Sequence, residues 1–263
     1  MVFDGRRNIV EISDDEKTIY FETWKPKKIS GTKIGGILGY SEFATPFKVA
    51  CEIAGIYPGD KPNKYIDAGN ILEPVIRNYI GQSATRFLST PLSLPEGSKA
   101  AVEQPVEKEK CQYDHFHDNK LFGGMVDGYV LIDGKRDSIL EIKTSHDKEK
   151  WLDENGLPTV VPMTYMLQAS LYAELAGLDR IVFVVGFLND PEDYLRPNSW
   201  KPNDDNTFIV VKDKLDMSGY MAEAEAWYKE YILNGYTPEW TDKDEELLKY
   251  LRAKPKDQKN GRR

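Results

Sequence analysis

Cysteine is scarce in this sequence of 263 residues, which contains only Cys51 and Cys111. Two cysteines cannot supply the four thiolates of a typical iron–sulfur cluster. In a cytosolic protein we expect both to be free thiols and not a disulfide pair. The cysteine count therefore argues against a cysteine-ligated cluster.

Long apolar runs are missing as well. No run approaches the roughly 20 apolar residues that a membrane span requires. The N-terminal string MVFDGRRNIVEISDDEK lacks the basic-then-apolar order of a signal peptide. With 40% hydrophobic and 30% charged residues, the composition is that of a soluble globular protein, and we expect a cytoplasmic one.

The net charge is acidic, formally −8. Taken alone, it argues mildly against nucleic-acid binding, because phosphate contacts require lysine and arginine. The basic residues are concentrated in two places, at Lys25, Lys27 and Lys28 and in a tail covering 253–263. Because a nuclease also gathers carboxylates for its metal ions, the distribution of charge is more informative than the total.

Apolar spacing and turn residues predict helices toward both ends of the chain and strands in the middle. The predicted helices cover 30–39, 45–55, 64–80, 162–176, 217–233 and 242–251. The predicted strands cover 101–109, 121–132, 138–144, 181–188 and 207–211. The third helix contains Pro74, so a break or kink there is an alternative to a continuous helix.

This order predicts an α/β fold with a mixed central sheet flanked by helices and helical additions at both ends. We expect a single domain over 1–263, without internal repeats. Its core would cover about 64–212, with a helical part at about 25–63, C-terminal helices at about 213–252 and the basic tail at 253–263. The stretch up to Trp24 is polar, and we expect it to be irregular.

The predicted hairpin around Asp133-Gly134 brings two acids together. If its loop covers 133–135, Asp127 pairs directly with Glu141, and with a loop one residue longer the two are diagonal neighbours. Lys143 lies two residues beyond Glu141 and shares its face of the sheet. Two carboxylates and a lysine on one face suit a Mg²⁺ site that activates water against a phosphate, whereas the structural alternative is a surface salt bridge.

Three further residues add to this site. Gln168 and Tyr172 are spaced i and i+4 on the predicted helix 162–176, so they share one face, which can point toward Glu141. Glu73, in the earlier helix, offers another carboxylate. The pair His115 and His117 can also bind metal in principle, but it lies in a predicted loop, where a structural role is favoured.

Five short motifs now follow one another in a recognisable order. The chain resembles the phage-type exonucleases of the YqaJ and lambda-exonuclease family, in the PD-(D/E)XK superfamily, from about Lys28 to about Leu188. The matching motifs are Ile29–Gly35 with Leu38–Ser41, Leu72-Glu73-Pro74, Gly124–Asp127, Glu141-Ile142-Lys143 and Gln168–Tyr172. The resemblance implies a restriction-endonuclease-like core.

The resemblance also implies roles for the acidic site. Asp127 and Glu141 would bind Mg²⁺, with Mn²⁺ as the alternative ion, and the Ile142 carbonyl would be a third ligand. Lys143 would position the nucleophile. Glu73 would act through the metal or its waters.

A DNA 5′-phosphate site is implied at the first predicted helix. Thr32 and Ser30 would bind the phosphate at the helix N-terminus, an ordinary place for an anion. Lys27 or Lys28 would stand where the family often has arginine. A lysine lacks the bidentate contact that arginine makes with phosphate. Lys33 departs from the family pattern, in which an acidic residue is common.

The predicted function is a metal-dependent 5′-to-3′ exonuclease on double-stranded DNA, of the kind used in phage recombination. Gln168 and Tyr172 would orient the site or the DNA strand. The family further suggests a ring-shaped trimer, a single-strand-annealing partner protein and an origin in a bacterial host, phage or prophage. The alternatives are a restriction-like endonuclease and a catalytically inactive DNA-binding or scaffold protein. Cas4-like and AddB-like nucleases would need cysteines near both ends.

Overall fold

The computed structural model describes residues 4–255, and part of the predicted basic tail, 256–263, lies outside them. No helix of the described chain has the length and apolar character to cross a membrane. The strands of these residues are β1 (Ile9–Ser13), β2 (Thr18–Phe21), β3 (Ile29–Ser30), β4 (Ala100–Glu103), β5 (Phe122–Gly123), β6 (Gly128–Ile132), β7 (Lys135–Ser145), β8 (Arg180–Phe187) and β9 (Thr207–Asp213). The α-helices are α1 (Gly31–Ile37), α2 (Pro46–Ile53), α3 (Lys64–Gln82), α4 (Ala84–Leu88), α5 (Met163–Ala176), α6 (Pro191–Leu195), α7 (Ser218–Trp227) and α8 (Glu245–Arg252).

The chain folds into two compact units. The continuous unit consists of 61–217. The terminal unit combines 4–60 with 218–255. The single domain expected over 1–263 stays a prediction.

The terminal unit contains an antiparallel hairpin of β1 and β2, in a stretch that the sequence analysis wrongly treated as irregular. Segments from the two ends of the chain meet here. Thr237 N–H donates to the Ile19 carbonyl at 3.0 Å, and the Thr237 hydroxyl accepts from Ile19 N–H at the same distance. Arg6 donates to the carbonyls of Tyr250 and Ala253. The predicted helices of this unit are confirmed as α1, α2, α7 with a π-helical turn, and α8 after a 3-10 turn.

The continuous unit is built on a five-stranded sheet in the order β4-β6-β7-β8-β9. β7 pairs antiparallel with β6 and parallel with β8, so the sheet is mixed. The predicted α/β class with a central mixed sheet flanked by helices is therefore confirmed. β7 is the middle strand, and its position determines the surroundings of the predicted acids.

Helices cover both faces of this sheet. On one face Leu140 and Ile142 pack with Leu72 and Ile76 of α3. On the other face Ile139 packs in a cluster that includes residues of α5. Alternate residues of β7 therefore point into different cores, as the predicted alternation requires. α3 runs through Pro74 without a break.

The hairpin turn between β6 and β7 is shorter than predicted. Asp133 and Gly134 both have positive φ, 50° and 80°, as a two-residue type I′ turn requires. The predicted loops of three or four residues are therefore wrong. Asp137 forms a bulge that shifts the register, after which Gly128 pairs with Leu140. Extending this register by one residue places Asp127 opposite Glu141, as predicted.

Two predicted strands were too long. The strand expected at 101–109 ends at Glu103, because Pro105 soon follows and has no N–H group for a strand ladder. The strand expected at 121–132 is divided into β5 and β6. The segment between them includes Gly124, whose φ is 136°.

Candidate active site

The middle strand β7 carries the two central residues of the candidate site. Glu141 is completely buried, and the side chain of Lys143 is 17% exposed. Glu141 does not lie at a sheet edge, because its strand is flanked by β6 and β8. A buried charge must be compensated by nearby partners, so its contacts are informative.

Glu141, Lys143 and Gln168 form a closed triangle of hydrogen bonds. Lys143 Nζ donates to Glu141 Oε1 at 2.6 Å and to Gln168 Oε1 at 3.3 Å. Gln168 Nε2 donates to the same Glu141 Oε1 at 2.6 Å. Glu141 Oε2 is buried and has no hydrogen-bond partner within the described residues. The Lys143 ammonium group also lies 4.8 Å from the centre of the Tyr165 ring.

Asp127 lies directly before β6, beside this triangle. Its Oδ2 accepts a hydrogen bond of 2.7 Å from the backbone N–H of Ile142. This bond holds the aspartate against the strand segment that carries Glu141 and Lys143. The acids of the predicted motif and its lysine are thus brought together by one hairpin.

Glu73 approaches the site from α3. It forms an ion pair with Arg77, one helical turn further along. The pKa of Glu73 is raised by burial and by the negative charge of Asp127, so the two acids influence each other. Arg77 was missed by the sequence analysis, although its i and i+4 spacing from Glu73 was a usable signal.

Tyr172 has a different environment from the one expected. It is 2% exposed, and its ring stacks on Phe116 with centroids 5.8 Å apart. A Cβ atom on residue 124 would lie 2.6 Å from the Tyr172 hydroxyl oxygen, so Gly124 is required at this close approach. Tyr172 therefore supports the segment that leads to Asp127.

A second support for Asp127 was also missed. Asp114 Oδ1 accepts from Gly124 N–H at 3.0 Å, and His115 N–H donates to the Gly124 carbonyl at 2.8 Å. His115 Nδ1 accepts from Val126 N–H at 3.1 Å, so Nε2 carries the proton and donates to the Val106 carbonyl. His115 therefore has a structural role, which the sequence analysis favoured. The sequence gives only a weak signal for it, because loop contacts have no periodic pattern.

The electrostatics of the site reflect its burial. Burial raises the pKa of Glu141 from 4.5 to about 8, although the Lys143 charge acts in the opposite direction. Burial also raises the pKa of Asp127, again against Lys143. For Lys143 burial lowers the pKa, but Glu141 and Asp127 outweigh it and keep the pKa above its ordinary value. When both acids are ionised, Lys143 balances only one of the two charges.

The residues present fit a divalent metal ion that takes its other ligands from elsewhere. In the described part of the chain, no three histidine, cysteine or acidic side chains form a ligand cluster by themselves. Mg²⁺ needs only one or two carboxylates, together with waters and phosphate oxygens. Glu141 Oε2, which has no hydrogen-bond partner in the described part of the chain, is a carboxylate oxygen of the kind that binds Mg²⁺.

The residues predicted to bind a 5′-phosphate lie in the terminal unit. Ser30 directly precedes α1, and its Oγ is 2.9 Å from Thr32 Oγ1. Thr32 and Lys27 are exposed, and Lys28 is half-buried. Lys33, the departure from the family pattern, forms an ion pair with Glu52.

The chain was also compared with known protein families. The family model of the YqaJ-like viral recombinase domain matches residues 20–179, more than half of the chain. The chain therefore belongs to this family, and the predicted resemblance is confirmed. The matched residues include the four strands β4, β5, β6 and β7 and the helices α3 and α5 of the continuous unit.

Individual relatives were found by sequence and by structure. Uncharacterized protein MG373 of Mycoplasma genitalium is 29% identical over 261 residues, covering 85% of this chain and 87% of the relative. The structure of an alkaline exonuclease (LHK-Exo) from Laribacter hongkongensis is 16% identical with a TM-score of 0.49, covering 86% and 91%. A phage related exonuclease from Haemophilus somnus 129PT is 16% identical with a TM-score of 0.48, covering 78% and 95%.

Proposed function

We propose that this protein is a metal-dependent exonuclease that degrades double-stranded DNA in the 5′-to-3′ direction. The observation that carries the proposal is the state of the Glu141 carboxylate. One of its oxygens is held by Lys143 and Gln168, and the other is buried and has no hydrogen-bond partner among residues 4–255. Asp127 lies opposite Glu141 when the register of the hairpin is extended by one residue. Membership of the YqaJ-like family supports a role in recombination.

Asp127 and Glu141 would hold Mg²⁺ or Mn²⁺, with the Ile142 carbonyl and Glu73 as further ligands. Such an ion would lower the pKa of a bound water and offset charge on the phosphate. Gln168 fixes the orientation of Glu141, and Ile142 N–H fixes that of Asp127. The Lys143 ammonium group would hold the attacking water and stabilise the negative charge of the transition state.

The first test is hydrolysis of a linear DNA duplex in the presence of Mg²⁺. We expect cleavage by the wild type and none by Asp127→Asn or Glu141→Gln, which remove a charge but keep the shape. Glu154→Gln, an exposed acid in a loop, is the matched control and should cleave normally. Full activity of either site variant would refute the assignment.

Closed circular DNA separates an exonuclease from an endonuclease. We expect no cleavage of covalently closed circles under conditions that degrade the same DNA once it is linear. Cleavage of the circles would favour the restriction-like alternative. Intact linear and circular DNA, together with DNA binding, would favour the inactive scaffold.

We further propose that Thr32, Ser30 and the lysines Lys27 and Lys28 bind the 5′-phosphate of the strand being degraded. Digestion should then start faster at 5′-phosphorylated ends than at 5′-hydroxyl ends. Lys28→Ala and Thr32→Ala should reduce this preference, and high salt should reduce it in the wild type because charge attraction is screened. Equal rates on both ends would remove the phosphate site and leave the metal site unaffected.

The resemblance also motivates an assembly proposal, a homo-oligomeric ring that works with a single-strand-annealing protein. Analytical ultracentrifugation of the wild type tests the oligomer directly. A monomer at all concentrations would refute the ring and would leave the proposed nuclease activity unaffected.

A further inference from the structure

A cleft is formed by the last turns of α3 and the edge strand β4. Its volume is about 300 Å³. We call it the Arg77 cleft, and its lining residues are Arg77, Asn78, Gly81, Gln82, Val102 and Gln104. None of these residues belongs to the predicted catalytic set.

Two connections join this cleft to the acidic site. Arg77 pairs with Glu73 one turn earlier on α3, and its charge also acts on Asp127. On the strand side, Glu103 pairs with Tyr129, so the antiparallel register brings Gln104 opposite Gly128. Gly128 is the neighbour of Asp127 in the chain. The cleft therefore begins beside the carboxylates.

The cleft contains an unusual cation. Arg77 is only 9% exposed, and its Nη2 contacts Glu73. Its Nε is buried and has no hydrogen-bond partner within the described chain. A buried donor without an acceptor is costly, and a guanidinium group pairs best with the oxygens of phosphate or carboxylate.

The other lining residues match a different part of a ligand. Asn78, Gln82 and Gln104 carry carboxamides, which both donate and accept hydrogen bonds and can pair with base edges. Gln104 Nε2 lies 3.3 Å from Asn78 Oδ1, so two of these groups already face each other. Gly81 leaves space beside Val102, because a Cβ there would be 3.7 Å from the valine.

We propose that the Arg77 cleft is a nucleotide-binding subsite, in which Arg77 binds a phosphate and the carboxamides bind the base or sugar. The proposal deepens the proposed nuclease function and rests on it for the identity of the ligand. The nucleotide has two sources, the mononucleotide released by cleavage or a unit of a DNA strand. Both present the same phosphate and base to the cleft.

Binding is measured by calorimetry on the full chain in EDTA, so that no metal ion contributes. The probes are thymidine 5′-monophosphate, thymidine, inorganic phosphate and a thymidine hexanucleotide. We expect the monophosphate to bind at least about tenfold more tightly than thymidine or phosphate alone. Tighter binding of the hexanucleotide identifies a DNA strand as the source, and tighter binding of the monophosphate identifies the released product.

Three variants test the location. Gly81→Met fills the cleft and Gln104→Leu removes one carboxamide, and each should weaken monophosphate binding at least about tenfold. Arg77→Gln should abolish the advantage of the monophosphate over thymidine. Gly219→Met, at a helical glycine with open space around it, is the matched control and should bind like the wild type. Circular dichroism verifies that each variant is folded.

The proposal is overturned if the wild type binds no monophosphate, or if a folded Gly81→Met variant binds it normally. Its failure is distinct from failure of the nuclease function. DNA cleavage in Mg²⁺ without nucleotide binding in EDTA would reject only the subsite. Nucleotide binding that is lost in Gly81→Met, without any DNA cleavage, would reject only the nuclease.

Discussion

Glu141 places an acid in the middle of a sheet, where ionisation is unfavourable without a compensating cation. Its pKa in the folded chain is raised by burial from 4.5 to about 8. Between these values the folded state holds the proton more tightly than the unfolded state does. Stability from this group is therefore complete below about 4.5 and is lost as the pH rises toward 8.

We predict that the metal-free protein loses thermal stability between pH 5 and pH 8, as measured by its Tm in EDTA. Glu141→Gln should flatten this dependence and raise the Tm at pH 8, because no charge then needs to be buried. Mg²⁺ should stabilise the wild type at pH 8 more than the variant. Identical pH profiles for the two proteins would contradict this account of Glu141.

Lys143 holds the Glu141 carboxylate and would also act in the reaction. Lys143→Ala should lower turnover about 10²–10³-fold at saturating DNA, the usual effect of removing one transition-state donor. DNA affinity should change little. Lys143→Arg is the matched variant, which retains the charge but not the geometry of the Glu141 and Gln168 contacts.

Single-turnover kinetics and a separate binding assay show whether Lys143 acts in the transition state or only binds a phosphate of the DNA. If affinity falls while saturated turnover is kept, the lysine is a phosphate contact.

Among the elements, the segment from Asp114 to Asp127 determines where one of the two acids lies. It has no regular structure at Asp114 and His115, yet both residues bond to Gly124, and His115 also bonds to Val126. The position of Asp127 thus depends on a loop as well as on the sheet.

We predict that Asp114→Ala destabilises the fold by about 1–3 kcal/mol, because it leaves backbone N–H groups of Phe116 and Gly124 without their acceptor. The Mg²⁺ concentration needed for half-maximal cleavage should also rise, since Asp127 is less well fixed. Asp118→Ala, an exposed acid of the same loop, should change neither quantity. An unchanged Mg²⁺ requirement in Asp114→Ala would show that the loop does not position the site.

The sequence was sufficient to predict the elements that carry periodic signals. Alternation along β7 and the i and i+4 spacing of α5 indicated which residues share a face. The direct pairing of Asp127 with Glu141 was predicted correctly although the predicted turn was wrong. The observed turn is shorter, and a bulge at Asp137 restores the register that the shorter turn would have shifted. Such compensation depends on tertiary contacts and leaves no local pattern.

Other elements lacked a usable signal. β1 and β2 are short, β1 is partly exposed, and their hairpin is stabilised by residues more than 200 positions away, such as Thr237. The support of Asp127 by His115 depends on a loop conformation. The Glu73–Arg77 pair could be recognised from its i and i+4 spacing in the sequence. This spacing is common on solvated helices and therefore indicates no function by itself.

At the scale of the whole molecule, the terminal unit depends on both ends of the chain. We predict that Thr237→Val destabilises this unit by about 1–3 kcal/mol, because Ile19 N–H loses its buried acceptor. Hydrogen exchange should then accelerate in 9–21 and also in 235–252, two regions far apart in sequence. Thr23→Val, at a half-buried position outside these contacts, is the control. Faster exchange confined to one of the regions would contradict the coupling.

The same division of the chain sets an order of events during synthesis. Residues 4–60 emerge from the ribosome before 61–217, and the segment around Thr237 that they bond to is made only after 61–217. At about 5–20 residues per second, the intervening 61–217 takes roughly ten to thirty seconds to translate. During that interval β2 exposes an edge without its final partner, while the continuous unit can already fold. We expect chains stalled before Ser218 to present this unpaired strand edge, which is a template for aggregation.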